Sequence, residues 1–291
     1  MVFLIGSILL SSYLTLSFKV LERLGINTFQ AIVVNYLTCV VTGSLMNGAI
    51  PFNNNLAQNS WFPWAIGMGF LFIGLFNIIA ITAQRAGVAV ASVANKLSMV
   101  IPFIFSVLFY HEGITTGKIA GIFLALLAVV WVSQRSNAAN ETGTLAIAVP
   151  LLPLLLFMGS GLLDTLIKYT EQRFLDGTNN NDFLVTAFGA AAVLGSIVLV
   201  VQVAMKKTTL SWKAIFAGIA IGVPNYFSIW CLVNVLKFYA GNSSVIIPVN
   251  NMGVVAFSTL AAAALFHEKL SRKNWLGIIL SLVAIALIAF G

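Results

Sequence analysis

The sequence predicts an all-α integral membrane protein with ten transmembrane helices, arranged as two inverted five-helix repeats. Hydrophobic residues make up 60% of the 291 residues and charged residues only 8%, whereas soluble domains have about 25% charged residues. The apolar runs are each roughly 18 to 25 residues long, which suffices to cross a hydrocarbon core of about 30 Å as helices. Finally, one distinctive stretch in the first half of the chain returns, altered, in the second half.

Short polar joints between the apolar runs define the predicted helices. Barrel strands would instead alternate polar and apolar residues over about ten residues. No basic segment precedes the first run, so we expect a retained helix and not a signal peptide. The predicted helices are 1–18, 28–47, 61–84, 88–110, 117–133, 145–170, 183–204, 212–236, 243–266 and 275–290. The polar segment 136–144 is the predicted linker between a first repeat at 1–135 and a second repeat at 145–291.

The repeat is clearest in the stretches 86–112 and 240–268. Each begins with Ala-Gly, continues as an apolar run that contains a polar pair, and ends with His-Glu. The pair Asn95-Lys96 lies about nine residues, or roughly 13 Å along a helix, beyond its Gly, and Asn250-Asn251 occupies the matching place. Five helices in each repeat make the two repeats face opposite ways across the bilayer, an architecture of secondary transporters with a midplane site.

Basic residues in the short joints predict the orientation of the chain. Joints 1-2, 3-4, 5-6, 7-8 and 9-10 hold ten of them: Lys19, Arg23, Arg85, Arg135, Lys206, Lys207, Lys213, Lys269, Arg272 and Lys273. The opposite side holds four, namely Lys118, Lys168, Arg173 and Lys237. Because cytoplasmic loops are enriched in Lys and Arg, we expect both termini outside, in a multi-pass protein of the cell membrane and specifically of a bacterial inner membrane.

Two short motifs indicate a family. AQRAGVAVAS closes the third predicted helix, and a Glu followed by Leu or Ile, Ser or Thr and then Gly opens the last helix of each repeat, at 112–121 and 268–277. On these motifs the chain resembles, over essentially its whole length, the EamA-type branch of the drug/metabolite transporter superfamily. The resemblance implies that helices 1 to 4 and 6 to 9 surround a central cavity while 5 and 10 pack peripherally. It also implies alternating-access movement of small metabolites, often export.

Lys96 is the principal candidate for binding a substrate. A charge at the centre of a membrane helix costs about 2.5 to 3.5 kcal/mol on insertion scales, so the ammonium should face protein or water and have a partner. We interpret it as a ligand for a substrate carboxylate or phosphate, or as a charge whose carboxylate partner is displaced by substrate or proton. A lysine that snorkels to the interface, or a permanently paired one, is the alternative.

Uncharged polar and aromatic side chains in the spans could complete that site. The further candidates for substrate binding are Asn95, Asn250, Asn251, Asn77, Asn225, Tyr13 and Trp230. Hydrogen bonds between helices would explain the asparagines equally well, and packing or interfacial belts would explain the aromatics. Pro248 precedes the Asn pair and frees a backbone carbonyl, which suits a bend near the site.

Asp164 is the only acidic residue well inside an apolar run, and Lys168 follows it one helical turn later. This order favours an ion pair on one helix face, in which case the two charges simply neutralise each other. If Asp164 instead reaches Lys96, it becomes the candidate group for proton coupling.

The two His-Glu pairs and the two cysteines have structural interpretations. His111-Glu112 and His267-Glu268 do not form an HExxH pattern, so we expect no metal site. We expect the two glutamates to stabilise the starts of the helices that follow them, with Thr115 and Ser271 as N-caps. Cys39 and Cys231 have no CxxC or His spacing and are predicted to be helix-packing residues.

These features predict a secondary active transporter of a small polar or amphipathic metabolite, of the amino acid or organic anion type. No Walker loop is present, no catalytic residues or cofactor are expected, and the formal charge of +7 is spread among loops without a patch for nucleic acid. The alternatives are a membrane scaffold subunit, whose polar groups only join helices, and a membrane-embedded enzyme. An enzyme would need paired carboxylates or an activated nucleophile.

The expected partners are a small-molecule substrate and the lipid bilayer, and a proton or another ion is the candidate for coupling. We expect the protein to be a monomer or a homodimer.

Overall fold

Long α-helices make up most of the described part of the computed structural model of this chain. The structure describes residues 1–48, 56–110, 115–133, 144–176, 179–238, 243–268 and 270–290. Within those ranges there are eleven α-helices, a short 3-10 helix at Leu56–Gln58 and no strand. The α-helices are α1 (Val2–Arg23), α2 (Thr28–Asn47), α3 (Phe62–Arg85), α4 (Val88–Leu97), α5 (Val100–Tyr110), α6 (Thr116–Ser133), α7 (Thr144–Phe174), α8 (Asn180–Ala204), α9 (Trp212–Phe238), α10 (Ser243–Phe266) and α11 (Arg272–Phe290).

The helices form ten spans, each long and apolar enough to cross a membrane, with α4 and α5 together forming the fourth. This confirms the predicted all-α class and the predicted number of spans. The bounds of α2 and α10 agree with the predicted ones, whereas α7 continues to Phe174 and α11 begins three residues early, at Arg272. The predicted linker, 136–144, lies outside the described residues except for Thr144, which begins α7.

The fourth span is broken, which the prediction of one continuous helix at 88–110 missed. Ser98 and Met99 form a turn between α4 and α5. Pro102 explains the break, because its missing N–H would have bonded the carbonyl of Ser98, the residue four positions earlier. That carbonyl instead accepts the N–H of Ile101 at 2.9 Å, and the Ser98 hydroxyl donates to the carbonyl of Asn95 at 2.5 Å.

The helices pack into two compact units. The first unit contains Met1–Lys19, Ile78–Leu162 and Phe227–Gly291, and the second contains Val20–Asn77 and Leu163–Tyr226. Each unit therefore draws helices from both predicted repeats, whose boundaries remain a prediction.

In the first unit, α6 packs against α11 and α4 packs against α10. Gly121 of α6 lets the backbones approach, since an added Cβ would lie 3.0 Å from the carbonyl oxygen of Ala284 and 3.1 Å from the nitrogen of Ile288. Gly277 of α11 does the same, with an added Cβ 3.2 Å from the Ala128 oxygen and 2.9 Å from the Val132 nitrogen. Small residues at helix interfaces commonly permit such close packing in membranes.

Two further glycines of the first unit receive isoleucine side chains. Ile8 of α1 packs over Gly253 of α10, and Ile101 of α5 packs over Gly161 of α7. Cys231 of α9 is buried, and its sulfur would lie 3.1 Å from a Cβ added to Gly6 of α1. These contacts join helices that are distant in sequence, and they agree with the packing role predicted for Cys231.

The second unit is organised around α2, which packs against α8. Tyr36 is fully buried, its ring contacts Phe72, Phe76 and Phe188, and its hydroxyl donates to the Phe72 carbonyl at 2.8 Å. Cys39, one turn later, is also fully buried, and its thiol donates to the Gly222 carbonyl at 3.4 Å. The predicted packing role of Cys39 is therefore confirmed.

Candidate functional site

Asn95 and Lys96 lie in the last turn of α4, directly before the break in the fourth span. Both are half-buried, whereas Val93, Ala94 and Leu97 around them are buried. The C-terminal end of a helix bears a partial negative charge that favours a cation. The lysine thus sits at a helix end and not in the middle of a continuous helix, a setting that sequence reasoning missed although Pro102 signalled it.

Asn250 and Asn251 lie in α10, shortly after Pro248, and their side chains are 2% and 8% exposed. The Asn251 amide donates to the sulfur of Met99 at 3.4 Å, so this residue contacts the break itself. The Asn250 amide oxygen is buried, and no hydrogen-bond partner for it exists among the described residues. An unsatisfied buried polar atom costs about 1 to 3 kcal/mol, so a hydrogen bond from a water molecule or a ligand to this oxygen would be stabilising.

The structure therefore places both polar pairs of the repeat in the first compact unit, on two helices that pack together. Asn95 and Lys96 belong to α4, Asn250 and Asn251 belong to α10, and α4 contacts α10. The two pairs differ in environment, because the pair on α10 is buried and the pair on α4 is half-buried.

The predicted aromatic residues also belong to the first unit. Tyr13 of α1 is 40% exposed. Trp230 of α9 packs edge-on against Phe3, with ring centroids 5.4 Å apart, and against Phe227 at 6.0 Å. These ring contacts favour a packing role for Trp230, and its role in substrate binding remains a prediction.

Asn77 and Asn225 lie in the second unit. The Asn77 amide donates to the carbonyl of Ile73, one turn earlier in α3, at 2.7 Å. The Asn225 amide donates to the side-chain oxygen of Asn35 in α2 at 3.1 Å, and both residues are buried. The second contact is the interhelical hydrogen bond that the sequence left open as an alternative to substrate binding.

Asp164 and Lys168 lie one turn apart on α7 and belong to the second unit. Asp164 is exposed and Lys168 is half-buried, so the carboxylate is not enclosed by packed neighbours. Its pairing with Lys168 and its part in proton coupling remain predictions.

Glu268 contacts a different helix from the one we expected. Ser271 is the N-cap of α11, with its hydroxyl 3.2 Å from the Asn274 nitrogen, and Thr115 caps α6 through the Lys118 nitrogen at 3.3 Å. Both predicted caps are confirmed. The Glu268 carboxylate, however, accepts the backbone N–H of Val88 at 2.9 Å, at the start of α4 and not of α11. Glu112 and His111 lie outside the described residues.

Ten helices that are long and apolar enough to cross a membrane indicate a multi-pass membrane protein. No family model matches the chain. An uncharacterized protein of Haemophilus influenzae is 27% identical over 290 residues, which are 97% of this chain and 95% of that protein. Protein CLT3, chloroplastic, of Arabidopsis thaliana is 31% identical over 131 residues, 42% of this chain and 29% of that protein.

A solved crystal structure of a protein shares the fold. It superposes with a TM-score of 0.62 at 17% sequence identity, covering 98% of this chain and 94% of that chain.

Proposed function

We propose that this chain is a secondary active transporter that moves a small polar or amphipathic metabolite, of the amino acid or organic anion type, by alternating access. The observation that supports this most directly is Lys96, half-buried at the end of α4 and next to the break in the fourth span. Broken helices with polar groups at membrane depth are where transporters of the inverted-repeat type bind substrates and coupling ions.

Reciprocal contacts support the inverted repeat on which this mechanism rests. Ala284 and Ile288 stand seven and eleven residues after Gly277, and Ala128 and Val132 stand at the same distances after Gly121. Gly121 meets the first two and Gly277 meets the second two. Contacts in which residue i meets j, and the equivalent of j meets the equivalent of i, are the signature of a two-fold axis.

The isoleucine contacts join corresponding helices. If the two halves are equivalent, α1 corresponds to α7 and the fourth span corresponds to α10. Ile8 of α1 packs over Gly253 of α10, and Ile101 of the fourth span packs over Gly161 of α7, so both contacts join a first helix of one half to a fourth span of the other.

The residues at the break favour an anionic or zwitterionic substrate. The ammonium of Lys96 can donate charge-assisted hydrogen bonds to a carboxylate or phosphate, and the α5 helix that begins at Val100 presents its N-terminus, which also favours anions. Asn95 and the Asn250 oxygen, which has no hydrogen-bond partner among the described residues, could bind the polar groups on the rest of such a molecule.

The joints on one side of the membrane hold more basic residues than those on the other side. This surplus supports an inner-membrane protein with both termini outside.

Replacement of Lys96 by Met tests the proposal, because Met keeps the length of the side chain and removes its charge. A thermal-shift screen of the purified protein against amino acids and organic anions first identifies a stabilising ligand. In proteoliposomes, Lys96→Met should lower the uptake of that ligand about tenfold or more, as expected for loss of a hydrogen bond to a charged group. Lys213→Met, at the exposed start of α9, is the matched control and should leave uptake unchanged.

Unchanged uptake by a folded Lys96→Met protein would reject the assignment of the site. If no ligand stabilises the wild-type protein and no uptake is detected, the scaffold alternative is favoured. A reporter fused after Gly291 measures on which side of the membrane the end of α11 lies, and we expect it outside.

A further inference from the structure

We propose that Glu268 is a positioning residue for the candidate site, because it holds the start of the helix whose other end presents Asn95 and Lys96. This inference rests on the proposed function for its significance, but the contact itself can be tested without any substrate. Glu268 lies 180 residues from its partner Val88 in sequence. No feature of the local sequence connects the two residues.

The geometry at the start of α4 is built for a carboxylate. One oxygen, Oε1, accepts the N–H of Val88 at 2.9 Å. Gly87 has φ of 107° and ψ of 154°, and a Cβ added there would lie 3.1 Å from the other oxygen, Oε2. Side-chain-bearing residues rarely adopt such a φ, so Gly87 both permits the turn into α4 and leaves room for the carboxylate.

A turn after α10 brings the carboxylate to this position. The helix α10 ends at Phe266, and His267 has φ of 54°, in the left-handed region that commonly ends a helix. Glu268 follows directly. Because Asn251 of the same helix donates to Met99, residues of α10 and of the turn after it contact both the start of α4 and the turn that follows α4. The two contacted residues, Val88 and Met99, are roughly 16 Å apart along a helix.

The charge of Glu268 matters because it meets a helix N-terminus, where a negative charge is favourable. Its Oε2 atom is buried and has no hydrogen-bond partner among the residues described. Basic side chains lie close in sequence to both partners: Arg85 ends α3 two residues before Gly87, and Arg272 and Lys273 begin α11 shortly after Glu268, while α1 carries both Lys19 and the acidic Glu22. Lys19 is engaged with the Gln84 carbonyl at 2.6 Å.

Hydrogen exchange of the purified protein tests the contact. In Glu268→Leu, the amides of the first turn of α4, residues 88–91, should exchange about tenfold faster or more, the range for losing a hydrogen bond to a charged group. Glu268→Gln retains an acceptor oxygen without the charge and should give a smaller increase. Thr115→Ala removes the cap of α6 and is the matched control, expected to leave residues 88–91 unchanged.

Chemical modification at position 96 then tests positioning. A cysteine introduced as Lys96→Cys is modified with a methanethiosulfonate reagent, with Cys39 and Cys231 buried in the protein. Combining it with Glu268→Leu should change the modification rate severalfold, and Glu268→Gln should change it less. A contact that only stabilised the helix start would leave the rate at position 96 unchanged.

Unchanged exchange at residues 88–91 in both Glu268 variants would overturn the inference, whatever the outcome of the transport assay. Faster exchange with an unaltered modification rate at position 96 would also overturn it, by reducing Glu268 to a local cap. If Glu268→Leu does not fold, Glu268→Gln is compared with the wild-type protein by the same two measurements, hydrogen exchange at residues 88–91 and the modification rate at position 96.

Discussion

The asparagines of the spans differ in what their amide groups contact. Asn77 bonds a carbonyl of its own helix, Asn225 bonds Asn35 of another helix, and Asn251 bonds the sulfur of Met99 at the break. All were alike in the sequence, where only their depth in an apolar run could be read. Depth alone therefore identifies polar residues that need a partner, but not the partner.

The pair of Asn35 and Asn225 gives a quantitative prediction. A double-mutant cycle with Asn35→Ala and Asn225→Ala should yield a coupling of about 0.6 kcal/mol, and at most about 1.7 kcal/mol, in the free energy of unfolding, the range for interhelical hydrogen bonds in membranes. Unfolding in mixed detergent micelles measures it. The pair of Asn77 and Asn225 is the control, with an expected coupling near zero. A coupling that does not differ between the two pairs would contradict the structural role of this bond.

Lys96 and Glu268 show what sequence could and could not predict at the site. The lysine was found because a charge in an apolar run is unusual at any position. The partner of Glu268 was assigned to the following helix, since spacing along the chain reveals only local contacts, whereas Val88 is brought to it by the packing of distant helices.

At the scale of secondary structure, most boundaries could be predicted because apolar runs end at polar or glycine-containing joints. Asn27 caps α2 by accepting the Gln30 N–H at 3.1 Å, and Gly48 ends it with φ of 68°. The break in the fourth span was missed because the residues on both sides of it are apolar. Whether Pro102 would break the helix could not be read from the sequence, because that depends on the backbone hydrogen bonds that its neighbours form.

The start of α11 makes a second prediction. Ser271 and Asn274 form a reciprocal cap, and the Asn274 amide also donates to the Val132 carbonyl in the last turn of α6 at 2.8 Å. Ser271→Ala should lower the free energy of unfolding by about 1 kcal/mol, as for loss of an N-cap. Asn274→Ala should lower it by roughly 1 kcal/mol more, because a second hydrogen bond is lost.

Denaturation of both variants in mixed micelles measures the two losses of stability. Thr115→Ala is the control, because it removes only the N-cap of α6. Equal losses for Ser271→Ala and Asn274→Ala would show that the bond to Val132 contributes nothing.

For the whole molecule, the reciprocal contacts of Gly121 and Gly277 predict equal sensitivity at two distant positions. Gly121→Ala and Gly277→Ala should each lower the free energy of unfolding by about 1 to 3 kcal/mol, the cost of overpacking. Gly74→Ala is the control, because an added Cβ there meets nothing within 4 Å and Ala is favoured over Gly in helices by about 1 kcal/mol.

Thermal unfolding of the three variants measures whether each substitution lowers or raises the stability of the protein. A neutral effect at one of the two interface glycines, with a loss at the other, would contradict the two-fold relation that supports the inverted repeat.

The composition of the two compact units also bears on how the chain is assembled during synthesis. All residues of the second unit have been translated once Tyr226 is made, whereas the first unit needs residues up to Gly291. Helix α1, which precedes both partners in the chain, contacts Gly253 and Cys231 through Ile8 and Gly6. It is therefore synthesised long before these neighbours, and its packing against them has to follow the insertion of most of the helices between them.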